Sequence, residues 1–155
     1  MVMHMQVELY MGEQLDLMAS VIGIGLLISV IDARSYRIPD FLVFLTGCVS
    51  VLFTWTEGWG LLRFRIFAAL TGGLVLLFLH LRKGLGLGDV KYGTVLSYAV
   101  GLYGTWIMLA VASLTGMVWY FMRGRSPLQK IPFAPFLTLG ALVTFLWKGM
   151  EGGGS

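Results

Sequence analysis

Charge is scarce in this chain. Of its 155 residues only 12% are Asp, Glu, Lys or Arg, and the acids are confined to Glu8, Glu13, Asp16, Asp32, Asp40, Glu57, Asp89 and Glu151. A sequence that is 57% apolar, with mean hydropathy +0.83, has too little polar surface to clothe one small soluble core, so the surplus must face lipid. Cysteine is nearly absent as well. Cys48 stands alone, which excludes a disulfide within the chain and a cysteine zinc site, and inside an apolar run it reads as a small packed hydrophobe. Strict alternation of apolar and polar residues is missing too, and a transmembrane barrel would require it.

What the chain has instead is long stretches without charge. Crossing a bilayer takes roughly 20 helical residues, with about 17 as a working minimum. Six candidate runs come close: Leu17 to Ile31, Phe41 to Thr56, Ile66 to Leu81, Val90 to Leu102, Trp106 to Met122 and Phe133 to Trp147. Leu, Val, Ile and Phe occupy every face of these runs, as on lipid-exposed helices. The expectation is therefore an all-α, polytopic membrane protein of six transmembrane helices. A single domain is expected over 1–150, with 151–155 as a flexible tail or expression remnant. Glu8, Glu13 and Asp16 precede the first run where a secretory signal would carry basic residues, so that run is expected to stay attached.

The pI near 9.2 reflects bases spread through short connections, which report orientation and not nucleic-acid binding. Counted by alternate connections, one side receives Arg34, Arg37, Arg82, Lys83, Lys91, Arg123, Arg125 and Lys130, and the other Arg63, Arg65 and Lys148. The richer side is expected in the cytosol, with both termini outside. Trp55, Trp59, Tyr103, Trp106 and Trp147 are expected in an outer aromatic belt, and Tyr36, Tyr92 and Tyr120 near the inner one.

Three acids then remain on the cytosolic side. Asp32 ends the first run and Asp89 opens the fourth; two crossings separate them, so they return to the same face. A carboxylate at such depth is costly and marks a functional site by default. Two of them in a low-dielectric setting do not both ionise comfortably, so one proton is shared and the pair titrates as a unit. In that state the ionised member takes a proton from an attacking water while the protonated member hydrogen-bonds the peptide carbonyl. Taken singly, Asp32 would rather pair with Arg34 or Arg37, and Asp89 would rather cap its helix; the topological pairing favours catalysis. Asp40, directly after Pro39, reads as the opening turn of the second helix, with capping as its main task.

Three segments now carry a family resemblance. Asp32-Ala33-Arg34-Ser35-Tyr36-Arg37-Ile38-Pro39-Asp40, Gly86-Leu87-Gly88-Asp89-Val90-Lys91 and Ile131-Pro132-Phe133-Ala134-Pro135-Phe136 follow in order across nearly the whole chain. They resemble the motifs of the type IV prepilin peptidases, membrane aspartyl proteases marked by Gly-x-Gly-Asp. The resemblance implies catalysis by Asp32 and Asp89 on a prepilin or pseudopilin leader at the cytosolic face of the bacterial inner membrane. It implies no cofactor and no metal. Longer members carry a region with paired cysteines and methyltransferase activity; the likeness here is to stand-alone peptidases, so cleavage without methylation is expected.

The remaining motif residues have supporting readings. Gly86 and Gly88 let backbone come close beside Asp89, which suits an extended substrate segment. Gly84 extends the glycine pattern, but no Gly-Lys-Ser/Thr follows, so a phosphate loop is rejected. Lys91 has two readings, holding the charge of the acids or snorkelling to lipid phosphate. Pro132 and Pro135 restrict the start of the last helix. His80 is an interfacial residue near the end of the third helix. A homo-oligomer is allowed. Two rivals stand beside the leading reading: an intramembrane protease of another substrate class, and a small ion- or proton-coupled transporter. The second is disfavoured because the centres of all six runs lack acids and bases and no internal repeat is found.

Overall fold

The computed structural model describes residues 2–57, 59–82, 85–123 and 132–152. Among the described residues five helices follow one another: α1 (Val2–Ser35), α2 (Asp40–Glu57), α3 (Trp59–Leu81), α4 (Leu87–Arg123) and α5 (Ala134–Gly152). The all-helical expectation holds. α1 begins well before the first apolar run, at Val2, in a stretch rich in the good helix formers Met, Gln, Glu and Leu. The first three runs each fall inside one helix, and the sixth, from its second residue on, inside α5. Lys83, Gly84, Arg125, Lys130 and Ile131 lie outside the described residues.

Five helices appear where six runs were expected because the fourth and fifth runs share one element. No polar loop separates them, and the chain instead breaks at a single residue, Gly101, with φ 77° and ψ 175°. Those angles carry a side chain only at the cost of strain, so glycine is required. In an unbroken helix Ser97 and Thr105 would stand about 12 Å apart at 1.5 Å per residue. Here the Thr105 hydroxyl donates to the Ser97 carbonyl at 3.4 Å. α4 therefore doubles back at Gly101 into two arms.

α5 packs against both arms and fixes their sense. It runs parallel to the first, meeting Tyr92 through Thr138 and the Val100 carbonyl through Lys148. It runs antiparallel to the second, where Gly140 sits on the Met108 backbone and the Thr144 hydroxyl reaches the Gly104 carbonyl. A Cβ on Gly140 would lie 2.4 Å from the Met108 carbonyl oxygen, so only glycine admits this approach. α1 lies against α5, α2 against the first arm of α4, and α3 packs through Gly72 and Gly73 onto Ser97 and Thr94 of that arm.

The break leaves the last carbonyls of the first arm without helical partners. Two cations supply them: Arg65 donates to the Ala99 carbonyl at 3.1 Å, and Lys148 donates to that of Val100. Arg65 is only 6% exposed, an expensive position for a charge that this hydrogen bond helps to offset. Large apolar residues elsewhere face outward, Phe41, Phe44, Phe64, Leu74 and Phe121 among them. α1, α3 and α4 each contain a stretch long and apolar enough to cross a membrane. Trp55, Tyr103, Trp106 and Trp147 are exposed, as an aromatic belt needs, whereas Tyr92 is wholly buried. The expectation for Tyr92 is thus corrected: three residues past Asp89, its helix face turns to α1 and α5 and not to lipid.

Candidate active site

One end of the bundle gathers the carboxyl end of α1, the amino ends of α2, α4 and α5, and the connection from α1 to α2. α1 stops because Tyr36 turns left-handed, φ 52°, while its N–H still bonds the Asp32 carbonyl at 2.8 Å. A non-glycine residue there is uncommon and costs about 1–2 kcal/mol. The chain then crosses Arg37 and Ile38 to Pro39, whose carbonyl accepts from the N–H groups of Leu42 and Val43 as α2 begins. Pro39 and Asp40 do open that helix, as expected from sequence.

Asp32 and Asp89 both lie at this end, 5% and 8% exposed, within electrostatic reach of one another. Each is tied to the amino end of a helix. One Asp32 oxygen accepts the N–H of Ala134, the first residue of α5, at 3.3 Å. One Asp89 oxygen accepts the N–H of Gly86, just before α4, at 3.2 Å. Unsatisfied N–H groups and the helix dipole favour negative charge there, so each backbone terminus offsets part of the cost of burying a carboxylate. The other Asp89 oxygen, Oδ1, is buried and has no hydrogen-bond partner among the described residues. A water can donate to such an oxygen when it is ionised, and a carbonyl can accept from it when it is protonated. Among the described residues, no group of three or more His, Cys, Asp or Glu side chains gathers to hold a metal ion.

The glycines of the second motif serve by their lack of bulk. A Cβ on Gly86 would lie 3.0 Å from an Asp89 oxygen, and one on Gly88 would lie 3.2 Å from Ile38. Gly88 thus lets the connection after α1 lie against the start of α4, which brings the two motifs together. His80 steadies the approach to this turn: its Nδ1 donates to the Leu85 carbonyl at 2.8 Å. Lys91 turns to Asp40, at 2.8 Å, in an exposed ion pair between α4 and α2. Pro132 precedes α5 and Pro135 lies in its first turn, where a missing N–H is harmless.

A buried polar network that the motifs did not reveal lies one turn beneath the acids. The Thr138 hydroxyl is 2.8 Å from that of Tyr92 and 2.9 Å from that of Ser29, and lies near the carbonyls of Ala134 and Gly25. It joins the helix of Asp89 to the helix of Asp32 at the turn of α5 that supplies Ala134. The available signal was spacing: Ser29 stands three residues before Asp32, Tyr92 three after Asp89 and Thr138 four after Ala134, each on the same helix face.

Residues 19–121 match the type IV leader peptidase family. The chain belongs to that family. Three relatives each bear the name prepilin leader peptidase/N-methyltransferase. That of Xanthomonas campestris pv. campestris is 33% identical over 113 residues, covering 70% of this chain and 33% of the relative. That of Aeromonas salmonicida is 27% identical over 131 residues, covering 77% and 45%. That of Pectobacterium carotovorum subsp. carotovorum is 25% identical over 137 residues, covering 81% and 49%. The chain spans between a third and a half of the length of these relatives. No solved structure matches it. Asp32 and Asp89 both lie within the stretch that matches the type IV leader peptidases, while Pro132 and Pro135 lie beyond it.

Proposed function

We propose that this chain is a membrane aspartyl endopeptidase that removes the leader of type IV prepilins or pseudopilins at the cytosolic face of the bacterial inner membrane. The observation that carries the reading is that Asp32 and Asp89, two buried acids from distant helices, share one end of the bundle, each accepting an N–H at the amino end of a helix. Together they form an acid–base pair. Asp32 or Asp89 in its ionised form takes a proton from water as that water attacks the scissile carbonyl. The protonated partner hydrogen-bonds the carbonyl oxygen and then gives its proton to the departing amine.

In this reading the chain crosses the bilayer six times, with the doubled-back α4 contributing two crossings, and both termini lie outside. Arg34, Arg37, Arg82, Lys91 and Arg123 share the end of the acids, while Arg63, Arg65 and Lys148 share the other, which supports that orientation. Residues 1–150 act as one peptidase unit, and no methyl transfer is assigned to them. Gly86, Gly88, Pro39, Pro132 and Pro135 shape the backbone around the acids, and the Asp40–Lys91 pair ties α2 to α4 beside them.

The test is cleavage of a prepilin by the purified protein in detergent or liposomes. Asp32→Asn or Asp89→Asn should each lower the rate by about 10²- to 10⁴-fold, the span that one acid–base group contributes. A rate left intact by either substitution rejects the assignment.

A further inference from the structure

A trough lies along the lipid-facing side of the bundle, with one end at Val90 and Lys91, on the turn of α4 that carries Asp89. It has a volume of about 870 Å³ and is walled by α2 and the first arm of α4, with Ala69 of α3 adjoining. Its mouth is formed by Asp40, Val90 and Lys91, and Val90 directly follows Asp89. From there the walls are helical faces. α2 contributes Phe44, Gly47, Cys48 and Val51, and α4 contributes Thr94, Val95 and Tyr98, all at spacings of one turn.

We propose that this trough seats the apolar helix of the substrate, with the scissile bond held at its mouth. The proposal rests on the leader-peptidase reading and names the surface by which that substrate is held.

Three features of the trough select a helix as its occupant. The Asp40–Lys91 pair at one end and the contact of Gly47 with Val95 further along show that α2 and the first arm of α4 run parallel, so their facing residues form a straight channel. From Asp40 to Val51 that channel is about 16 Å long at 1.5 Å per residue, or three turns. Its walls beyond the mouth are mostly apolar, Thr94 and Tyr98 adding hydroxyls, and at Gly47 a Cβ would reach only ordinary van der Waals contact with Val95, at 3.8 Å. A helix lying in a groove of one-turn spacing is a recurrent mode of recognition. The level of its end, one residue along α4 from Asp89, decides which helix. A segment seated here ends at the level of the acids, and a leader peptide lies just before such a helix.

Cys48 is the single cysteine of the sequence and lies in the channel wall, so it is a built-in reporter. Asp89 to the level of Cys48 is about seven residues along α4, or roughly 10 Å. A set of prepilins, each with one cysteine at a successive position after the scissile bond, would be incubated with the Asp89→Asn protein in liposomes under mild oxidation. Disulfides with Cys48 should peak near the seventh position and recur one turn away. The Cys48→Ser, Leu114→Cys protein, whose cysteine sits on the exposed face of the second α4 arm, should give no such pattern. A second arm measures kinetics. Ala69→Phe should raise KM for full-length prepilin at least tenfold more than KM for a leader peptide ending before the helix.

Absent or position-independent crosslinks, with an equal effect of Ala69→Phe on both substrates, would overturn the proposal while the enzyme still cleaves prepilin; lipid chains would then fill the trough. Failure of the unmodified protein to cleave any prepilin would instead reject the underlying function.

Discussion

The two ends of the bundle use the same backbone chemistry with opposite charges. At one end Asp32 and Asp89 are held by N–H groups at the starts of α5 and α4; at the other Arg65 and Lys148 hold carbonyls where the first arm of α4 stops. Both arrangements meet the polar groups that a helix terminus leaves open in an apolar setting. They differ in what remains. The cations engage carbonyls that would otherwise be orphaned, whereas Asp89 keeps one buried carboxyl oxygen without a partner among the described residues, as the Tyr98 hydroxyl does. The cation end thus holds the break in α4 together, and the acid end keeps a carboxyl oxygen open.

That contrast is sharpest where a change should alter rate without altering stability. Thr138→Val keeps shape but removes the hydroxyl that joins α1, α4 and α5 beneath the acids. Prepilin kcat should fall about ten- to a hundredfold through misplacement of the acids, with KM little changed. Thr138→Ser, which retains the hydroxyl, should restore most of it. Loss of activity in both variants in proportion to lost folded protein would reduce Thr138 to a packing role.

The opposite end should respond the other way. Lys148→Met leaves the Val100 carbonyl short of a donor and should lower stability by about 1–3 kcal/mol, read from thermal unfolding in detergent. The specific activity of the folded fraction should hold. A variant as stable as the parent would show that water or lipid serves the break equally well. The smallest effect is expected between these extremes. Asp40→Asn breaks an ion pair whose side chains are 74% and 54% exposed, so screening leaves at most about 1 kcal/mol. A larger loss of stability would mean that α2 depends on this tie.

Much of this was legible in the sequence, for physical reasons that differ by residue. Lipid has to be met with unbroken apolar runs, so the helices of α2, α3 and α5 were visible as such. Asp32 and Asp89 stood out because so few acids were present, and their motifs named the family. Gly101 did not stand out, because a reversal that needs no polar loop leaves no polar signal. The fates of Arg65 and Lys148 were hidden in the same way: as flanking bases they reported orientation, and their role as carbonyl donors depends on where the chain breaks. Tyr92 was misread as interfacial because composition cannot tell which face of a helix meets its neighbours. For Lys91 the sequence left two readings open, and its partner turned out to be a third residue, Asp40.

The central claim is that two acids act as one unit, and a double-mutant cycle addresses it. Asp32→Glu, Asp89→Glu and the double variant each keep carboxyls and so a measurable rate, and single-turnover cleavage of prepilin would be recorded for all three. Residues that work as a unit lose activity non-additively, so the double variant should be little slower than the slower single one. Losses that multiply would show two independent groups and contradict the account.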